Sequence, residues 1–199
     1  MLLAALVAPA GLIRPASATP VITPGDVTLV GQLLIATPVM EDPRFARTVI
    51  LMVRHSKAGA MGIAINRPIA QRPLVDLLRA MGQDESGVDG TIGIFAGGPV
   101  QPQIGFILHD AEYNLTGTID IDGRVAVTSD PQILRDIGRH AGPRKYLVAF
   151  GYAGWGPRQL EAELALHAWV TTAEDPDLVF DTDRDTVWDA ATARAGHGR

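Results

Sequence analysis

From Leu29 onward, short apolar runs alternate with clusters of glycine, proline and charge. Gly31–Ala36 (GQLLIA) and Thr48–His55 (TVILMVRH) have strand length, and a turn-rich Thr37–Arg47 segment joins them. Gly62–Asn66 (GIAIN) follows closely, so Thr48–His55 and Ala60–Asn66 read as a hairpin around a Ser56–Gly59 loop. Leu74, Leu77, Leu78 and Met81 recur at helical spacing after Pro73, which predicts a short amphipathic helix. Ile92–Ala96 and Ile104–His109 are two further strands, separated by Gly97-Gly98-Pro99. Ile119–Ile121 and Arg124–Val127 flank Asp122-Gly123, a strong hairpin signal. Asp130-Pro131 opens a helix with Ile133, Leu134 and Ile137 on one face, closed by Ala141-Gly142-Pro143. Tyr146–Phe150 reads as a buried strand, Gln159–His167 as a helix with Leu160 and Leu164 inward, and Trp169–Thr171 as a strand. Asp183–Arg194 is the expected terminal helix, anchored by Val187 and Trp188. The pattern has no internal repeat and predicts one α+β domain over residues 29–199.

The N-terminus stands apart. Leu2–Ile13 is apolar except for Pro9 and Gly11, and Ala16-Ser17-Ala18 has the small-x-small form of a signal-peptidase site. Twelve residues are too few to cross a bilayer core, which takes about 20 in a helix, so no membrane span is expected. No Lys or Arg precedes the apolar stretch, and Arg14 lies on its far side. Residues 1–28 are therefore treated as an extension, disordered or signal-like, with Thr19–Val27 as linker. A cytoplasmic protein is expected, or a periplasmic one if residues 1–18 are cleaved.

Composition narrows the chemistry. Of 199 residues, 47% are hydrophobic and 20% charged, which places the chain among globular proteins. A net charge of −5 argues against a protein built to coat nucleic acid. The absence of Cys rules out disulfides, thiolate metal sites and cysteine nucleophiles. There is no phosphate-loop or nucleophile-elbow motif, and the five histidines show no metal-ligand spacing. Glu161 and Glu163 lie two apart on a predicted helix and diverge, so they do not form a catalytic carboxylate pair. No metal and no cofactor are expected.

What remains is a set of polar residues at strand ends beside glycine turns: His55, Asn66 with Arg67, Gly97 with Gly98, His109, and Trp155 with Gln159 at a helix start. Glycines allow close backbone approach, and Arg67 suits an anionic group. If these positions converge, they form a pocket for a small anionic ligand. Each also has a structural reading: the histidines cap strands, Asn66 forms a turn, the glycines serve a tight turn or bulge, and Trp155 plugs the core. A basic run, Arg135, Arg139, His140, Arg144 and Lys145, could rest on phosphates. A strand-like stretch follows Pro143 where a helix-turn-helix needs its second helix, which disfavours direct nucleic-acid binding.

The ordered series GQLLIATPVMEDPRFARTVILMVRHSKAGAMGIAINRP, FAGGPV at Phe95–Val100, GFILH at Gly105–His109, GYAGWGPRQLEAEL at Gly151–Leu164, and AWV resembles the bacterial YqgE/AlgH family. The resemblance implies a strongly bent mixed sheet forming a pseudo-barrel flanked by helices. It implies no established enzyme activity, although one branch has been called a transcriptional regulator of alginate production. Pro157-Arg158 stands where members more often have Pro-Gly. The leading expectation is a non-enzymatic regulatory or small-ligand-binding protein, acting on a small anionic ligand or a protein partner. The alternatives are a hydrolase or transferase with His55 or His109 as general base, and a transcriptional regulator acting directly or through a partner.

Overall fold

The computed structural model describes residues 28–197; the disordered or signal-like extension, up to the end of its Thr19–Val27 linker, lies outside the described residues. Ten strands and four helices follow in the order β1 (Gln32–Ala36), β2 (Val49–Ser56), β3 (Gly59–Ala64), β4 (Pro68–Pro73), α1 (Leu74–Ala80), β5 (Thr91–Ala96), β6 (Val100–Asp110), β7 (Ile119–Asp120), β8 (Val125–Thr128), α2 (Gln132–Gly138), β9 (Tyr146–Trp155), α3 (Gln159–Ala165), β10 (Trp169–Ala173) and α4 (Val187–His197), with one π-helical turn at Asp177–Asp181. The sheet path is β10-β1-β2-β3-β9-β6-β8-β7, and β5 joins it as the parallel neighbour of β9, carrying β4 on its outer edge. This is the α+β, strongly curled sheet that the resemblance implied.

The curl follows from strands covered on both faces. In β1 and β2, Leu33, Ile35, Val49, Leu51 and Val53 point into the concave side with Ile63, Leu108, Val125, Val127 and Ala149, where Leu178, Val179, Val187 and Ala191 close over them. The alternate residues Leu34, Ala36, Ile50 and Met52 pack outward against Trp155, Leu160 and Trp169. Both parities of these strands are buried, so they read as continuous apolar runs. A third core joins Leu74 and Leu78 of α1, Ile133 and Leu134 of α2, and Ile107 and Val148 of the sheet.

β9 is the strand that bends. Its first half pairs with β5 and β6, and its last three residues pair with β3. Between them Gly151 takes φ +73°, and its backbone lies against Gly98, which has φ +155°. A Cβ on Gly98 would collide with the Tyr152–Ala153 backbone, and one on Gly151 would collide with the Gly98 carbonyl. Sequence reading stops this strand at Phe150 because glycines normally punctuate strands; here they carry it round the corner. β4 was also missed, since PIAQRP is mostly exposed, has no alternation, and pairs only with β5.

The two ends of the sheet path meet at a polar cluster. Beyond β10, Glu174 donates its N–H to the Gly31 carbonyl, and its fully buried carboxyl lies 2.6 Å from Arg124 Nη2. Arg124 also grips Asp122 in the β7–β8 turn at 3.0 Å. Among the described residues no donor, Arg124 included, is aligned for a hydrogen bond on either Glu174 oxygen. Burial, a hydrogen bond to Asp122 and the Asp122 charge push the Glu174 carboxyl up to about 8. Burial also works against an ionised Asp122, but hydrogen bonds from Glu174 and from Val125 and Arg124 outweigh it and keep its pKa low.

Two outcomes are expected. Gly98→Ala should cost about 2 kcal/mol or more, whereas Gly156→Ala, where a Cβ meets only Gln159 Oε1 at 3.8 Å, should cost less than about 1 kcal/mol; urea denaturation compares them. Because Glu174 is raised in the folded chain, its stabilising proton is fully present below the ordinary value near 4.5 and is lost as pH rises through about 8. Melting temperature should therefore fall more steeply between pH 5 and 9 in the wild type than in Glu174→Gln; parallel curves would refute the assignment.

Candidate functional site

The principal groove opens between the β1–β2 connection and α3, with a volume of about 560 Å³. Trp155 ends β9 on its floor, Gln159 and Glu163 face it from α3, Pro99 and Val100 begin β6 beside it, and Glu41, Asp42, Arg44 and Phe45 form the opposite wall. Val39 and Leu166 stand on its rim. Two of the eight residues picked out in the sequence, Trp155 and Gln159, line this groove directly.

The others take supporting or distant places. Asn66 accepts from the Val49 N–H at 2.9 Å and donates to the Arg47 carbonyl at 2.9 Å. Arg67 donates to Thr48 Oγ1 at 2.9 and 2.7 Å and to the Ala46 carbonyl at 2.9 Å. Both residues thus pin the 46–49 stretch that presents Phe45, and the Arg67 guanidinium is engaged by the chain itself where an anion was expected. Gly97 bridges strands, accepting from Ala64 N–H and donating to the Phe150 carbonyl, and Gly98 makes the close approach that sets Pro99 and Val100 on the groove wall.

The two histidines do not join one site. His109 pairs with Tyr146, and His55 pairs through Ala60 with Trp155. They therefore sit toward opposite ends of ten-residue β9, on either side of its turn at Gly151. His109 is wholly buried; its Nδ1–H donates to the Asp110 carbonyl at 2.8 Å, its Nε2 has no partner among the described residues, and burial lowers its pKa. Without solvent access it cannot meet a substrate as a base. His55 Nδ1 accepts from the Leu29 N–H at 3.2 Å, and Nε2 faces Glu161 at 3.1 Å. It ties the incoming chain to α3 and is a structural tether.

Glu163 is the residue that sequence reasoning set aside and the structure brings forward. Its Oε2 accepts the indole N–H of Trp155 at 2.9 Å and that of Trp169 at 2.7 Å, while Oε1 accepts Gln159 Nε2 at 2.9 Å. The indoles meet edge to face, with centroids 6.0 Å apart, and Phe45 stacks edgewise on Trp169 at 5.8 Å. Glu161 turns the other way to His55, so the two carboxylates do diverge. The available signal was three partners on one short segment, Trp155, Glu163 and Trp169, each indole needing a buried acceptor. Arg158, just before α3, has φ +63°, a conformation that costs a non-glycine residue about 1 kcal/mol and that the more usual glycine would adopt without strain.

The basic run is paired throughout. Arg135 bonds to Gln132 and Gln83, Arg139 to Asp84 and the Ser86 carbonyl, and Lys145 to Asp181. His140 lies 3.2 Å from Asp89, and Arg144 lies 3.7 Å from Glu112. Among the described residues no group of three or more His, Asp or Glu side chains is placed to hold a metal ion, and no helix is long and apolar enough to cross a membrane.

The curled half-barrel sheet with its helices is an α+β fold that solved structures share. The AlgH-like family model matches residues 33–198, and the chain belongs to that family. A UPF0301 protein of Afipia carboxidovorans is 43% identical over 180 residues, 86% of each chain. One from Jannaschia sp. is 43% identical over 170 residues, 84% of this chain and 88% of its own. Among solved structures, the solution structure of the Pseudomonas aeruginosa AlgH protein aligns with TM-score 0.71 and 37% identity over 87% of this chain and 92% of that one. A crystal structure from Corynebacterium diphtheriae, 22% identical over 82% of this chain and 85% of its own, shares the fold at TM-score 0.64.

Glu163→Gln tests the joint between the indoles. A glutamine must turn its NH₂ either toward both indole N–H groups, losing two contacts, or toward the Gln159 amide, losing one. The expected cost is about 1–3 kcal/mol, with a red-shifted tryptophan emission; unchanged urea midpoint and spectrum would show that the carboxylate does not hold the pair.

Proposed function

We propose that the chain is a non-enzymatic binding protein with a regulatory role, and that the groove beside α3 receives its ligand or partner. The observation that carries this reading is the groove itself: a preformed concavity within the usual 300–1,000 Å³ of ligand sites, with an apolar floor and few polar groups. Asp42 and Arg44, and Gln159 and Glu163, are fixed as hydrogen-bond partners of neighbouring side chains, which suits recognition better than proton transfer. Three carboxylates and one guanidinium line it, so a cationic or neutral occupant fits better than the anionic one expected from Arg67. Regulation through a partner fits better than direct DNA contact, because four of the five residues of the basic run face carboxylates of the chain itself. Cytoplasmic placement goes with this proposal on the strength of the family resemblance.

A thermal-shift screen of metabolites, nucleotides and short peptides tests it. A groove ligand at a hundredfold excess over its Kd should raise the melting temperature by about 5–10 °C, and less in Gln159→Ala and Leu166→Ser. A library without hits, or stabilisation that both variants retain in full, would overturn the reading.

A further inference from the structure

We infer that the groove beside α3 recognises a basic side chain, arginine or lysine, carried on an extended apolar peptide segment of a partner protein. The inference rests on the binding-groove reading above and adds the chemistry of the occupant.

Glu163 carries the first of the groove's open acceptor positions. A carboxylate offers about four acceptor positions. Three are taken, by two indole N–H groups and one amide N–H, and all three donors are neutral. Among the described residues no Lys or Arg forms an ion pair with it. The remaining position is on Oε1, on a residue that lines the groove. On the opposite wall Asp42 is neutralised by Arg44, whose Nε and Nη2 grip it at 3.0 and 2.7 Å. Glu41 beside it has no cationic partner in the same set of ion pairs. Two uncompensated carboxylates thus face a space floored by indole, and a guanidinium or ammonium group satisfies both. The Phe45 ring already has the Arg44 guanidinium 5.9 Å from its centroid, which leaves Trp155 as the aromatic surface for the aliphatic stem of an incoming side chain.

The rim selects a peptide over a free amine. Val39 is 62% exposed and Leu166 is 75% exposed, and they come from the two separate elements that border the opening. A free amine would fill the interior and leave both uncovered. An extended segment with one basic residue between aliphatic neighbours places its charge inside and its flanks on Val39 and Leu166, and buries apolar surface on both sides.

The test is calorimetric titration of the full chain with the acetylated, amidated peptide Leu-Arg-Leu-Ala, with its citrulline counterpart, which keeps shape and loses charge, and with argininamide. The arginine peptide should bind, at least about tenfold more tightly than the citrulline peptide, and more weakly as salt rises. Glu41→Gln, an exposed substitution remote from the indole joint, should weaken the arginine peptide about threefold or more and leave the citrulline peptide unchanged. Equal binding of the two peptides overturns charge recognition but keeps the groove as a binding site, provided Leu166→Ser weakens both. Argininamide binding as tightly as the peptide overturns the peptide source and assigns the site to a small amine. Arginine-peptide binding that neither Glu41→Gln nor Leu166→Ser weakens places the contact elsewhere and overturns both this inference and the groove reading. No binding by any of the three probes overturns the inference, while the groove reading is then judged by its own screen.

Discussion

The backbone of Gly151 rests on the backbone of Gly98 with no room for a side chain on either, and the path of β9 depends on that contact. Up to Phe150 the strand runs parallel to β5; past Gly151 it serves β3 instead. A straight strand would continue one flat sheet, with an open concave face. Turning at Gly151 lets the sheet curl on itself, so that Leu33, Leu51, Leu108 and Val125 meet in one interior, and it aims the last residue of the strand, Trp155, at α3.

From that turn the groove follows in order. The Gly98 approach fixes Pro99 and Val100; Trp155 arrives beside Leu160 and Trp169; and a carboxylate is then needed where two indole N–H groups converge away from water, because an unpaired buried donor costs about 1–3 kcal/mol. Glu163 fills that need. Asn66 and Arg67, placed by the hairpin that β3 completes, hold the 46–49 stretch so that Phe45 closes against Trp169. The groove is thus a product of the sheet's closure and its walls are pre-organised, a condition that lowers the ordering cost of binding.

Much of this was legible in the sequence, and the gaps have physical causes. The apolar run TVILMVRH and the helical spacing of Leu74, Leu77 and Leu78 gave element type with ends off by one or two residues. By contrast, β6 starts at Val100 instead of Ile104, and α4 spans Val187–His197 instead of Asp183–Arg194. The second half of β9 and the whole of β4 were hidden because their glycines, prolines and polar residues carry a local meaning that pairing overrides. The candidate site was half legible. Trp155 and Gln159 could be placed at a strand-to-helix junction, but the grouping of His55 with His109 assumed a convergence that only topology decides, and β9 separates them along its length. Glu163 was weighed against Glu161, its neighbour in the chain, whereas its meaning comes from Trp155 and Trp169, eight residues before it and six after.

β10 links the groove to the closure of the sheet. Its first residue, Trp169, donates to Glu163, and the residue after its last, Glu174, sits in the cluster with Arg124 and Asp122. Five residues of strand, roughly 17 Å, separate an indole that shapes the groove from a buried carboxyl that faces Arg124 across the seam. Among the described residues β10 pairs with β1 alone, so fewer backbone hydrogen bonds hold it than hold an interior strand. A charge placed on buried Glu174 must be accommodated by moving that carboxyl toward water or drawing Arg124 closer, and the strand that carries it also carries one side of the groove. Closure and recognition are thus two ends of one weakly held element, which is where a fold of this kind has freedom to couple them.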